Sequence, residues 1–313
     1  MLVSIVVCTH SLDNLQNLGE AVNSLLNQTH KEIEIIVVVD GNQELYDRIM
    51  KAYNNHGKIK TMVTGESLGA FGAGNVGIKV AQGDVIALLD DDAVADRGWI
   101  ENLVDIYQKL DAIAVGGKIV PLWLTKKPDY FPLELGWLVG MTQEGFAEDK
   151  IAEVRNTWGS NMSFKREVFD KIGLLNAELG FAKGKTTYMQ GAEAEFALRM
   201  KNKLGKGIIY NPEAIVYHKI PSSRTKPRIL LKRAYYQGYS KALMKKHSPL
   251  PDTLATEKSY LTDLFFKYIP RRIRGIVSLN AVKELKQLSF LSATIISVGL
   301  GFIYGYVRRE HYE

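Results

Sequence analysis

With 313 residues, 46% of them hydrophobic and 24% charged, the chain has the make-up of a globular protein with room for one large domain and an appendage, which excludes a fibrous or disordered class. Cys8 is the one cysteine, so an intrachain disulfide and a multi-cysteine metal site are excluded, and a reducing, cytoplasmic setting is expected. The formal charge of +6 is unevenly spread: Lys219 to Lys286 holds 16 Lys and Arg against 4 Asp and Glu, while residues 1–218 hold 22 against 28, an acidic body with a basic tail.

The alternating apolar run Met1 to Cys8 has neither a basic flank nor a small-residue cleavage site, so it reads as a first strand and not as a secretory signal. Strand and helix patterns then alternate: a strand at Leu2 to Cys8, a helix through Leu15 to Leu26, a strand at Ile33 to Val39, a helix near Tyr46 to Tyr53, a short strand near Ile59 to Val63, a helix after Gly74 and a strand at Val85 to Leu89. Such alternation predicts an α/β fold, a Rossmann-like, mixed and mostly parallel sheet with helices on both faces and a helical C-terminal appendage. Ligands of such sheets gather beyond the carboxyl ends of the strands. Thr9, His10, Asp40, Asp90, Asp91 and Asp92 all fall at those ends, and one crevice could receive them, although polar residues follow strands in any wet loop.

From Pro121 to Asp149 the pattern weakens, with Pro121, Pro128 and Pro132 among aromatic residues, and a long loop or subdomain over the sheet is expected, in the position of a substrate lid. Leu288 to Val307 is a stretch of 20 residues without a charge, bracketed by Lys283, Lys286, Arg308 and Arg309, long enough to cross a bilayer. Its ten strongly apolar residues contribute only about −3 to −6 kcal/mol to insertion. Gly299, Gly301 and Gly305 erode that gain, so a helix lying in the membrane interface, or packed on a neighbour, competes with a span.

Asp90, Asp91 and Asp92 close an apolar strand. Alternation along extended chain sends Asp90 and Asp92 to one side and Asp91 to the other. Two carboxylates at the lip of a sheet suit Mg²⁺ or Mn²⁺ that also takes diphosphate oxygens. A solvated turn with Asp96 as the N-cap of the next helix is the plainer alternative.

These residues carry a resemblance. Val3-Ser-Ile-Val-Val-Cys-Thr-His10, the Gly69 to Gly77 stretch ending Gly-Asn-Val-Gly, and Leu-Leu-Asp-Asp-Asp92 resemble, in order and spacing, the nucleotide-binding half of family 2 glycosyltransferases with the GT-A fold. Trp158, Gly159 and Asn161, with Met162, Phe164, Arg166, Phe169 and Gly173, are similar to that family's acceptor-side segment. The resemblance covers about residues 1–224, with 1–120 as nucleotide half, 121–224 as acceptor half and 225–313 as a basic, membrane-associating tail. It implies an inverting, metal-dependent transferase using a nucleotide-sugar donor, commonly a UDP-sugar. It further implies a nucleotide side of Thr9, Asp40 on the base, Gly69, Asn75, Asp90 on the ribose and Asp91. Asp92, with Asp90, would hold the metal on the diphosphate.

The family usually carries Glu-Asp after the glycine of its catalytic helix, the Asp acting as base; here those positions are Ala192 and Glu193. Glu193 is therefore the expected general base, with Glu195 as second candidate, since residues two apart face about 200° apart on a helix and cannot share a site. Either glutamate could simply complement the helix dipole. His218 is expected as a further metal ligand, a place the family often gives to His, though a lone His at a strand end is as a rule a hydrogen-bonding residue. Arg224 lies near enough in sequence to reach phosphate.

The basic tail with its interspersed tyrosines and phenylalanines points to an anionic membrane surface and a lipid-linked glycan acceptor at the cytoplasmic face. The whole is similar to enzymes that extend polyprenyl- or dolichyl-phosphate glycans, glucosyl-dolichyl-phosphate glucuronosyltransferases among them. A solvated helical face would explain the charge equally, and nucleic acid is not expected, because no RNA-binding or zinc-finger spacing accompanies it. Two rivals stand. Gly72 to Gly77 matches G-x-G-x-x-G, which would make the chain an NAD(P)-dependent oxidoreductase. Ala192, where the family has an acid, would fit a degenerate sugar-nucleotide-binding protein.

Overall fold

The structure, a computed structural model, describes residues 1–53, 56–177, 191–247, 254–277 and 280–307. Arg308 and Arg309 lie outside them. The chain forms two compact units.

The first unit takes Met1–Leu122, Ala147–Thr186 and Ala192–Lys219. Its strands are β1 (Val3–Thr9), β2 (Ile33–Val39), β3 (Ile59–Val63), β4 (Val85–Asp90), β5 (Ala93–Ala95), β6 (Ala114–Trp123), β7 (Ala152–Val154), β8 (Met162–Lys165) and β9 (Ile208–Ile220). Its helices are α1 (Leu15–Leu26), α2 (Gln43–Tyr53), α3 (Gly69–Val80), α4 (Trp99–Lys109), α5 (Arg166–Ile172) and α6 (Ala192–Leu204). The sheet order is β3-β2-β1-β4-β8-β6-β9-β5, with β7 beside β9. The run β3-β2-β1-β4 is parallel, as the strand–helix alternation predicts, and β8 then pairs antiparallel with both β4 and β6.

Period-two alternation divides the core between the sheet's faces. Val3, Ile5 and Val7 turn to the side of α1 and α4, where Leu18, Val22, Leu25 and the fully buried Trp99 pack. Val6, Ile36 and Val38 turn to α3, α5 and α6 and a cluster of Phe164, Phe169 and Phe196, whose ring centroids lie 4.9–5.5 Å apart.

Two local expectations are corrected. The helix expected after Gly74 begins at Gly69, so Gly72 to Gly77 lies inside α3. A Cβ on Gly77 would come within 2.4 Å of Val6 and 3.1 Å of Val38, so this glycine lets the helix approach the sheet, while Gly72 and Gly74 lie within helical turns and not in a strand-to-helix phosphate loop. That removes the structural basis of the dinucleotide reading. Asp96 is not the N-cap of α4; Gly98 is, and Asp96 Oδ1 accepts from the Gly98 N–H at 3.0 Å.

The second unit takes Trp123–Phe146, Thr187–Gly191 and Ile220–Glu313. It contains α7 (Pro227–His247), α8 (Ala255–Asp263), a π-turn (Leu264–Tyr268), α9 (Ile269–Ile276) and α10 (Ala281–Val307). The segment expected as a lid is anchored within this unit. Glu134 is fully buried and forms a two-point pair with Arg272, at 2.5 and 2.6 Å, and Arg272 reaches on to Glu284 at 2.9 Å. Tyr260 receives the Trp137 indole N–H at 3.1 Å and donates to the Glu134 carbonyl at 2.7 Å.

Candidate active site

Strand register brings the polar ends together. Thr9 pairs with Val39, and Cys8 with Asp90, so Asp40, Thr9 and Asp90 follow one another along the carboxyl edge of β2, β1 and β4. The chain then turns at Asp91 and Asp92 into β5, whose Ala93 lies opposite His218 of β9. The Lys219 N–H closes this corner on the Asp92 carbonyl at 3.0 Å.

His218 is buried, and its Nε2 lies 3.1 Å from Asp92 Oδ1 and 3.9 Å from Asp90 Oδ2. One ligand atom from each of the three lies within 4.8 Å of the others. Asp91 points the other way, accepting from Thr9 Oγ1 at 2.6 Å and Asn14 Nδ2 at 3.1 Å. This is the alternation expected for three successive carboxylates. Burial raises the Asp91 carboxyl above the ordinary range, against the two hydrogen bonds. Burial likewise pushes the Cys8 thiol up, and the charges of Asp90, Asp91 and Asp40 push it further, so the edge carries a negative potential.

Asp40 organises the start of α3. Its Oδ1 accepts the Leu68 N–H at 2.6 Å and the Thr64 hydroxyl at 3.2 Å; its Oδ2 accepts the Ser67 hydroxyl at 2.8 Å and the Gly69 N–H at 3.0 Å. Asn75 exchanges hydrogen bonds with the backbone of Leu175, at 2.8 and 3.1 Å. Thr64, Ser67 and Asn14 were not foreseen, because nothing local marks a hydroxyl or amide whose partner lies 24 or more residues away.

Glu193 stands in the first turn of α6, with Oε1 3.4 Å from the position a Cβ would take on Gly159 and Phe71 beside the same point. A side chain at 159 would crowd this carboxylate. Glu195 faces elsewhere and pairs with Arg199 at 2.8 Å, whose guanidinium also binds the Leu174 carbonyl at 2.8 Å. Trp158 leads into the tight turn Gly159–Asn161 and is half-buried. Asn161 is fully buried, with Oδ1 receiving the Trp99 indole N–H at 2.9 Å and Nδ2 donating to the carbonyls of Lys118 and Ala214 at 3.0 and 2.8 Å. Its amide is thus engaged inside the sheet. Arg224 belongs to the second unit, in the turn Ser222–Thr225.

A parallel four-strand edge, an antiparallel continuation and an Asp-x-Asp corner joined by a histidine are the architecture of a GT-A glycosyltransferase. The chain belongs to glycosyl transferase family 2, whose model matches residues 4–173. It is 38% identical over 306 residues to the glucosyl-dolichyl phosphate glucuronosyltransferase of Haloferax volcanii, covering 97% of this chain and 96% of that one. Among solved structures it is similar in fold to the Pyrobaculum calidifontis mannosyltransferase PcManGT in complex with GDP-Man and Mn²⁺ (TM-score 0.62, 15% identity, 98% of this chain and 88% of that one). It is also similar to S. aureus TarS 1-349 in complex with UDP-GlcNAc (TM-score 0.54, 15% identity, 98% and 89%).

Proposed function

We propose that this chain is an inverting, metal-dependent transferase that moves a sugar from a nucleotide donor, a UDP-sugar, to a lipid-linked saccharide or polyprenyl- or dolichyl-phosphate glycan at the cytoplasmic face of the membrane. The observation that carries the donor side is the convergence of Asp90, Asp92 and His218 within 4.8 Å. The acceptor class rests on the Haloferax relative, which aligns over nearly the whole chain.

Two carboxylates and an imidazole make a donor set for Mg²⁺ or Mn²⁺, the imidazole favouring Mn²⁺, and the exposed Asp90 leaves the diphosphate side open. When bound, such an ion supplies positive charge to the leaving diphosphate. Thr9, Asp40, Gly69, Asn75, Asp90 and Asp91 shape the nucleotide side. Glu193 accepts the proton of the attacking acceptor hydroxyl, while Trp158 and Gly159 form the acceptor wall beside it. One in-line displacement inverts the anomeric centre. Residues 1–224 make up the catalytic part and 225–313 the membrane-associating part.

Calorimetry with UDP, GDP, UDP-glucose, UDP-glucuronate and NAD, with and without Mn²⁺, tests this on the unaltered chain and on Asp92→Ala. Mn²⁺-dependent binding of a UDP-sugar, lost in Asp92→Ala, supports the reading. Binding that is indifferent to Mn²⁺ and to Asp92 would overturn it.

A further inference from the structure

Among the described residues α10 is the one helix long and apolar enough to cross a bilayer, and its packing bears on whether it does. One face of α10 lies against α7. Ser297 Oγ donates to the Leu231 carbonyl at 2.7 Å, a Cβ on Gly301 would come within 1.9 Å of the Tyr235 carbonyl oxygen, and one on Gly305 within 3.0 Å of the Tyr239 carbonyl. The contacts advance together, 231 with 297, 235 with 301 and 239 with 305, so the two helices run parallel with backbones in close contact. Gly238 of α7 completes the seam, its Cβ position 1.9 Å from the Val298 carbonyl oxygen.

The partner helix is strongly cationic. Between Pro227 and His247 it carries Arg228, Lys232, Arg233, Lys241, Lys245 and Lys246 and no acidic residue. Lys232 and Arg233 stand one and two residues beyond Leu231, level with the middle of the uncharged stretch of α10. At a bilayer centre each such cation offsets about five to ten apolar residues. Lys245 and Lys246 sit over the ring of Tyr306, at 5.8 and 6.0 Å, near the last turn. Head-group chemistry therefore accompanies α10 along its length, whereas a spanning helix has it at the two ends.

The opposite face of α10 is apolar and exposed. Ile296, Leu300, Ile303 and Val307, at spacings of four, three and four, are 57–72% exposed. We infer that α7 and α10 form an in-plane membrane-docking pair, which lays this stripe into the head-group boundary of an anionic bilayer while the exposed Lys232, Lys245 and Lys246 of α7 meet lipid phosphates and Lys241 stays paired with Glu257, and that α10 does not cross. The inference rests on the membrane reading above and specifies its geometry.

The test uses the full chain and vesicles of phosphatidylcholine with and without phosphatidylglycerol. Ile296→Cys, Ile303→Cys and Val307→Cys, each in a Cys8→Ala background and fluorescently labelled, should show one common shallow depth, about 5–10 Å, by nitroxide-lipid quenching. Replacing Lys232, Lys245 and Lys246 by Gln should lower affinity for the anionic vesicles by about fivefold each, about 100-fold together, with thermal stability unchanged. A depth maximum near residue 296, with position 307 shielded from an external aqueous quencher, overturns the inference in favour of a span. Absence of vesicle binding together with a stable dimer overturns it in favour of a second copy on the stripe. Donor calorimetry on the same proteins separates this from the catalytic reading, since vesicle binding requires neither donor nor metal.

Discussion

The Nε2 of His218 stands 3.1 Å from Asp92 Oδ1 because β5 and β9 pair in the register that sets Ala93 opposite His218. The two residues are 126 positions apart in sequence, and the contact exists only because a three-residue strand turns the aspartate corner back onto β9. Asp92→Asn and His218→Ala should each reduce Mn²⁺ affinity, read by paramagnetic resonance of the free ion, by at least about 100-fold. Asp91→Asn should leave Mn²⁺ affinity nearly unchanged, since Asp91 faces Thr9. Equal losses in all three would show that the corner does not divide as the geometry indicates.

Glu193→Gln should lower kcat by about 10² to 10⁴ while leaving donor affinity within a factor of two, the pattern of a lost general base. Glu195→Gln weakens a largely buried two-point pair with Arg199 and should cost about 1–2 kcal/mol of stability, with kcat changed less than threefold. Steady-state kinetics beside donor titration distinguishes the two glutamates. A Glu195 variant with the larger kcat loss would reverse the assignment.

Asn161→Ala removes the acceptor of the fully buried Trp99 indole N–H and the side-chain donor to the carbonyls of Lys118 and Ala214. At about 1–3 kcal/mol for an unsatisfied buried donor, a loss of that order is expected in urea unfolding. An acceptor-binding role would instead raise KM for the acceptor and leave the unfolding midpoint in place.

Arg272→Met should destabilise the chain by about 3–5 kcal/mol, because it removes the two-point partner of the fully buried Glu134 carboxylate and leaves it Arg271 at 3.8 Å. The double variant Glu134→Leu with Arg272→Met should recover much of that loss, since removing both charges abolishes the desolvation cost. Thermal unfolding of the two variants compares them directly.

Glu153 accepts hydrogen bonds from Lys201 and from the Gly207 N–H, and the Lys201 contact holds its carboxyl below the ordinary 4.5 despite some opposing burial. Stabilisation by a group lowered in this way is fully present above pH 4.5 and is lost as pH falls through the folded-state value. Glu153→Gln should therefore cost about 0.2–1 kcal/mol near pH 7, discounted for a half-exposed pair, and its stability should converge with that of the unaltered chain once pH falls below the folded-state value. Urea midpoints followed from pH 7 into strong acid check both halves.

The run from β1 to β4 was legible because its information is local. Period-two runs such as Val3–Thr9 and Ile33–Val39 declare buried strands, and helices between them force parallel pairing, so Thr9, Asp40 and Asp90 had to fall on one edge. The opposite facing of Asp91 and Asp92 followed from the pleat alone. Helix boundaries were less legible: the cap of α3 is a carboxylate 29 residues earlier in the chain, which holds the Gly69 N–H and starts the helix five residues before the expected Gly74.

By itself the sequence determined the α/β class, the family, the carboxyl edge that holds the aspartates, and the charge division between body and tail. These depend on residue types and on the periods of two and 3.6, which each segment carries without reference to the rest. Tertiary structure alone decided that Gly77 packs a helix onto the sheet, that Asn161 braces the sheet, that Glu134 is buried against Arg272, and that the apolar α10 runs beside a cationic helix. Each of those facts is a contact between residues 32 or more positions apart, and a side chain's role there is set by what the fold places against it.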